Sequence, residues 1–149
     1  MTLSLLGPIV LVLFLLALVG SVIWVSTRGL WSKTSLRGLI IAVVPGLVMV
    51  GSFYALALHM YVSLGGWPKT IGETGFPPAL LVHARVTLSY FGAMALLAIF
   101  GWPIALLTCS LVRRLRRYIA YVTAGGVAFV VCLILMMIGP SGFLYWWWD

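Results

Sequence analysis

Acidic side chains are almost absent from this sequence of 149 residues, which holds two carboxylates against nine lysines and arginines. Charged residues make up 7% of the chain, whereas they approach about a quarter of a soluble domain. With so few carboxylates the chain has no intramembrane carboxylate pair, and it also lacks a His-Glu-x-x-His motif and a phosphate-binding glycine loop. The conventional catalytic sets are therefore missing.

Cysteine and histidine are scarce as well, with two of each in the chain. Cys109 and Cys132 lie at different depths in the third and fourth apolar runs. We therefore expect both to be small packing residues and not to form a disulfide with each other. The histidines, His59 and His83, are the two nitrogen ligands available to a metal or a cofactor.

Hydrophobic residues, by contrast, form 64% of the chain and are collected into four long runs. A bilayer crossing needs roughly 20 apolar helical residues, because a helix satisfies its own backbone hydrogen bonds in lipid. The sequence predicts an all-α integral membrane protein, a single domain over 1–149. Its expected segments are helices over 3–26, 38–64, 78–112 and 118–139, an outer loop over 65–77 and an aromatic tail over 140–149.

Turn and cap residues mark the ends of these helices. Pro78 suits the first position of a helix, and Pro140 should stop the fourth run. Pro45 and Pro103 lie inside apolar runs, where we expect kinks rather than breaks. Three hydroxyl residues precede the second helix and are candidate caps: Ser32, Thr34 and Ser35.

The basic residues predict the orientation. Seven of the nine lie between the first and second runs or between the third and fourth, and short cytoplasmic loops carry the excess of lysine and arginine. The sequence therefore predicts a four-transmembrane-helix bundle with up-down antiparallel topology and both termini non-cytoplasmic. By analogy with small multi-pass proteins, we expect the inner membrane of a bacterium.

Four arginines stand together after the third run: Arg113, Arg114, Arg116 and Arg117. Such a cluster is expected to hold its loop on the cytoplasmic side and so to orient the helices in the membrane. An alternative role is the binding of an anionic lipid or an acidic partner. The net charge of +7 does not indicate a nucleic-acid partner, because the cations separate apolar runs instead of forming a soluble basic face.

A polar group is expected at the outer end of the bundle, where His59, Glu73, His83 and Arg85 fall. His59 lies about five residues before the second helix ends and His83 about five after the third begins, so at about 1.5 Å per residue they are nearly level. Arg85 is roughly 200° around the helix from His83 and is expected to face Glu73 or lipid headgroups.

Three kinds of site are compatible with this group. His59 and His83 could hold a b-type haem as axial ligands, or a divalent metal together with Glu73. The histidines could also serve a proton relay or a quinone headgroup site. The competing interpretation is ordinary packing and hydrogen bonding at the headgroup level, where histidine and arginine are readily accommodated.

These observations favour a non-enzymatic accessory or structural membrane component that requires no cofactor. Its expected partners are the lipid bilayer and either another membrane protein or further copies of the chain. The alternatives are a haem-binding or metal-binding membrane protein that uses His59 and His83, or a small transporter.

Overall fold

The computed structural model describes residues 3–68, 72 and 75–148, with the backbone alone for 3–8 and 11. Within these residues the chain forms helices and turns, and no strand, so the all-helical prediction is confirmed. The α-helices are α1 (Leu3–Thr27), α2 (Leu36–Leu64), α3 (Pro78–Leu96), α4 (Trp102–Leu111), α5 (Ile119–Met137) and α6 (Ser141–Trp148).

The length and the apolar character of the helices indicate a membrane protein. Three stretches are long and apolar enough to cross a bilayer, namely Leu36–Leu64, Pro78–Leu111 and Arg113–Met137, and Val12–Thr27 in α1 is a shorter apolar helix. Large apolar side chains cover the outside of the bundle, and Ile41, for example, is 72% exposed. Lipid accommodates such a surface, whereas water does not.

Helix α2 begins at Leu36, two residues before the predicted start, and ends at Leu64 as predicted. Ser35 is the N-cap, and its side-chain oxygen accepts a hydrogen bond of 3.2 Å from the backbone nitrogen of Gly38. The C-cap is Gly65, whose φ of 67° is left-handed. Pro45 lies inside α2 without ending it. In the carboxyl-terminal half of α2 the buried side chains Met49, Phe53, Leu56 and Met60 recur every three or four residues, and Ala57 is buried beside Leu56.

The stretch Pro78–Leu111, which we call the third long helix, is continuous and has a wider turn inside it. Residues Leu97–Gly101 form a π-helical turn between α3 and α4, and the backbone nitrogen of Trp102 donates to the carbonyl oxygen of Leu97, five residues earlier. Pro103 follows at once and has no N–H to donate. The irregularity expected at this proline is therefore a π turn placed directly before it.

The two basic segments lie together at one end of the bundle. Each forms a short 3₁₀ helix, Leu30–Lys33 and Arg113–Tyr118, and Leu30 packs into the same apolar cluster as Leu115. The backbone nitrogen of Ser35 also donates to the hydroxyl of Tyr121 at 2.8 Å. We call this end, with its seven lysines and arginines (Arg28, Lys33, Arg37, Arg113, Arg114, Arg116 and Arg117), the basic end.

The aromatic tail folds into α6 and covers the opposite end. Phe143, Trp146 and Trp147 are buried there, and the ring of Trp147 meets Phe53 edge-on at 5.0 Å between centroids. Trp146 donates a hydrogen bond of 2.9 Å from Nε1 to the carbonyl oxygen of Gly72. The tail therefore belongs to the main apolar core.

Candidate functional site: a histidine pair between two helices

The helical hairpin of α2 and α3 brings the two histidines into direct contact. Nδ1 of His59 lies 2.9 Å from Nδ1 of His83, and the ring centroids are 5.2 Å apart with the planes inclined by 35°. The equal depth predicted from the sequence thus corresponds to a hydrogen bond between the two imidazoles, which we call the histidine pair.

The pair lies at the rim of the apolar interface between α2 and α3. Its sequence neighbours Met60 and Ala84 are fully buried, as are Leu56 and Leu80, one turn before the respective histidines. The two histidines are themselves half-buried. The rings are thus held by packing on one side and remain accessible from the other.

The chemistry of the pair follows from the short nitrogen-to-nitrogen distance. In a hydrogen bond between two imidazoles one Nδ1 carries the proton and the other presents its lone pair. Only one of the two facing nitrogens can be protonated while the bond exists, because two N–H groups would oppose each other. The lone pair of the accepting Nδ1 is used by this hydrogen bond, so both Nδ1 atoms can bind a metal ion only after the donating ring moves its proton to Nε2.

Polar groups continue from the pair towards the middle of the bundle along α3. Thr87 lies one turn beyond His83 and is buried, and its hydroxyl has no hydrogen-bond partner among the described residues. Beyond it, the hydroxyl of Tyr90 donates to the carbonyl oxygen of Pro45 at 3.0 Å. The buried hydroxyl of Thr87 is a group that a bound water or ligand could satisfy.

Of the expected outer group, the two histidines are the residues seen in contact among the described residues. Glu73 lies outside the described residues. Arg85 is exposed, and its position two residues after His83 turns it to a different face of α3. The described site therefore consists of the two histidines, with Thr87 below them.

The spacing of the two Nδ1 atoms is close to that of two nitrogens bound to one metal ion. Two nitrogens that ligate one ion at about 2.0–2.1 Å stand about 3.3 Å apart in a tetrahedral site and about 2.9 Å apart at right angles. The distance of 2.9 Å between the Nδ1 atoms needs little change to match either. No group of three His, Cys, Asp or Glu side chains is found in residues 3–68, 72 and 75–148, so further ligands would come from water or Glu73.

A haem would need a larger rearrangement of the same side chains. Axial imidazoles lie on opposite faces of the macrocycle, with their nitrogens about 4 Å apart. The nitrogens of the histidine pair are 2.9 Å apart and in direct contact, so the two rings would have to separate by about 1 Å and the macrocycle would have to enter between the helices.

The four clustered arginines lie at the opposite end from the pair and are exposed. Nε of Arg116 donates to the carbonyl oxygen of Ser110 at 3.2 Å, and the guanidinium of Arg117 lies 4.8 Å from the centroid of the Tyr118 ring. These arginines take no part in the histidine site.

An apolar cavity of about 310 Å³ in the bundle is a feature that the sequence does not reveal. Its walls come from α1, α2, α5 and the third long helix, and they include Pro45, Met94, Trp102 and Phe129. A cavity depends on how the helices pack against one another, and the pattern of apolar residues along each helix does not predict that packing. The residue that could have drawn attention to it is Pro45, since a proline inside a helix disturbs its packing.

Comparisons with family models, curated proteins and solved structures gave no match for this chain. Its function must accordingly be inferred from its own side chains. Among the described residues, the histidine pair is the group whose chemistry goes beyond packing, and it carries the functional proposal.

Proposed function

We propose that this chain crosses the inner membrane of a bacterium four times, as an up-down antiparallel bundle with both termini on the non-cytoplasmic side. The crossings would be α1, α2, the continuous helix Pro78–Leu111 and α5. The clustering of both basic segments at one end supports this, because that end would face the cytoplasm. The histidine pair then faces the non-cytoplasmic side.

We further propose that the protein is a non-enzymatic accessory component that binds one divalent transition-metal ion through His59 and His83. The observation that carries this proposal is the distance of 2.9 Å between the two Nδ1 atoms. Imidazole nitrogens at this spacing can reach one ion after the rings turn so that both lone pairs point to it, and imidazole suits zinc, nickel and copper. The ion would link α2 to α3 near the outer surface.

Metal binding changes the protonation of the pair in a defined way. Both Nδ1 atoms must offer a lone pair to the ion, so the histidine that donates in the free protein must carry its proton on Nε2 instead. The remaining positions would be filled by water and by Glu73, whose carboxylate is the one acidic group in the chain segment between α2 and α3.

The nitrogen spacing favours a metal ion over a haem, which needs the two rings to separate. A role of the pair in proton relay or quinone binding stays a prediction, to which the unpartnered hydroxyl of Thr87 adds a second polar group. A site with two protein ligands and bound water would be an exchangeable one, because closed structural sites use four protein ligands in most cases.

Binding of Co²⁺ and Zn²⁺ to the purified protein tests this proposal. Co²⁺ gives visible absorption when imidazole nitrogens bind it, and calorimetry gives the stoichiometry and affinity for Zn²⁺. We expect one ion per chain, at least tenfold weaker binding in His59→Ala and in His83→Ala, and a similar loss in the double variant because either change breaks the shared site. Tyr54→Phe, which removes the hydrogen bond from α2 to Leu135, is the matched control and should bind as the wild type does.

Two results would contradict the metal site. The first is binding that the double histidine variant retains, and the second is a wild-type protein that takes up no stoichiometric ion. A Soret band in the protein as purified would instead support haem. Turnover of a substrate by the purified chain alone would reject the non-enzymatic role, and Glu73→Gln would show whether Glu73 is a ligand.

A further inference from the structure

A second cavity, of about 400 Å³, opens on the side of the bundle near the basic end. Its walls are Gly20, Ser21 and Trp24 of α1, Leu106 and Ser110 of α4, and Ile119 of α5. We call it the basic-end groove. It is separate from the histidine pair, and its role is independent of the proposed metal site.

An arginine is fixed beside this groove. Arg116 donates from Nε to the carbonyl oxygen of Ser110 at 3.2 Å, and Ser110 is itself a wall residue. This hydrogen bond uses one N–H of the guanidinium, so most of its donors remain for an outside acceptor. A planar guanidinium of this kind matches the oxygens of a phosphate.

The positive charge of the basic end has no acidic partner nearby in the sequence. The two carboxylates of the sequence are Glu73, which lies between α2 and α3, and Asp149, which follows α6. Neither belongs to the segments that form the basic end. The seven cations therefore have no carboxylate within their own segments, and clusters of this kind attract the anionic lipids of a cytoplasmic leaflet.

From the groove, the fixed arginine and this uncompensated charge, we infer that the basic end binds one anionic phospholipid. Its phosphate lies against the guanidinium of Arg116, and an acyl chain occupies the groove beside Trp24 and Leu106. The basic residues can orient the helices in the membrane without any groove beside them. A lipid-binding site at the basic end would therefore be a function separate from orientation.

Native mass spectrometry of the purified protein in detergent tests this inference, with phosphatidylglycerol and phosphatidylcholine of identical acyl chains as the two probes. Working in micelles separates lipid binding from any effect of charge on insertion. We expect phosphatidylglycerol to be retained preferentially, and Arg116→Gln to lower that preference about fivefold, since a basic residue near an anionic surface contributes about 1 kcal/mol.

A second variant blocks the groove without removing charge. Gly20 is a wall residue, and a Cβ added there would meet no atom within 4 Å, so Gly20→Leu should fold and fill the groove. Gly51 in α2 has the same free space and lies outside the groove, so Gly51→Leu is the matched control. We expect Gly20→Leu to lose bound phosphatidylglycerol and Gly51→Leu to keep it.

Equal retention of the two lipids by the wild type would overturn the inference and would leave an acidic protein partner as the counter-charge. An unchanged preference in both Arg116→Gln and Gly20→Leu would overturn it as well, because the lipid would then bind elsewhere. A parallel loss in Gly20→Leu and Gly51→Leu would show a general effect of leucine in these helices and would also contradict the groove.

Discussion

The indole of Trp102 lies directly on Gly126 of α5 and donates from Nε1 to the carbonyl oxygen of Val122 at 2.8 Å. A Cβ at Gly126 would stand 2.7 Å from Cε2 of that indole and 3.0 Å from Cδ1 of Leu18. Helices α1, α4 and α5 therefore meet at a position that only glycine fits, since a buried indole and a helix backbone cannot both give way.

Replacement of Gly126 by alanine should destabilise the protein by about 1–3 kcal/mol, because the methyl group overpacks the contact with Trp102. The measurement is thermal unfolding of the purified protein in detergent. The matched control is Gly51→Ala, where the added methyl group meets no atom within 4 Å and alanine favours the helix. Equal melting temperatures for the two variants would contradict the tight contact.

The aromatic tail offers a second matched pair of substitutions. Trp147 is buried and contacts the rings of Phe53 and Phe91, whereas Trp148 is 48% exposed. We expect Trp147→Ala to cost about 3–5 kcal/mol and Trp148→Ala clearly less. Unfolding in detergent measures both, and a larger loss for Trp148→Ala would mean that α6 does not pack as described.

Removing the N-cap of α2, at the basic end, should lower the stability of the protein by a smaller amount. Ser35 caps the helix through Gly38, and its backbone nitrogen donates to the hydroxyl of Tyr121. Ser35→Ala removes the side-chain cap and should cost about 1 kcal/mol. Ser32→Ala removes only an exposed hydrogen bond to the carbonyl oxygen of Gly29 and should change the melting temperature less. The reverse order would contradict Ser35 as the cap.

The proposed orientation predicts which introduced cysteines react from outside the cell. In a variant whose native Cys109 and Cys132 are replaced by alanine, Ser141→Cys at the start of α6 should react with a membrane-impermeant maleimide in intact cells. Ser32→Cys at the basic end should react only after permeabilisation. Both serines are exposed in the structure, so the opposite pattern would mean the opposite orientation.

The positions of the long helices were predictable because they depend on local chemistry, whereas the sequence left three candidate caps for α2, of which Ser35 is the one used. The apolar runs, Pro78 at the first turn of α3 and Ser35 as a cap all act within a few residues of the backbone groups that they affect. The equal depth of His59 and His83 was likewise predictable from the rise of two antiparallel helices.

Contacts between distant segments were not predictable in the same way. That Nδ1 meets Nδ1 depends on how α2 and α3 rotate about their axes, whereas the turn of Arg85 away from His83 follows from their spacing of two residues. The helical form of the tail depends on burial of Phe143, Trp146 and Trp147 against residues far away in the sequence. A run of aromatic residues has no strong helix preference of its own, so its tertiary contacts decide its structure.

The π turn at Leu97–Gly101 divides the third long helix into two halves, α3 and α4, that pack against different helices. One additional residue in a turn rotates the side chains that follow it by roughly 100° around the helix axis. Residues at helical spacing before and after the π turn therefore lie on different faces of the helix. Before the turn, Leu80, Ala84 and Thr87 are buried in α3, which packs on α2, while Trp102 in α4 reaches α5. Deleting one residue from this turn would leave the helix long enough to span a bilayer, but it would rotate the indole of Trp102 away from Val122. A single residue in the turn therefore determines that α4 packs against α5.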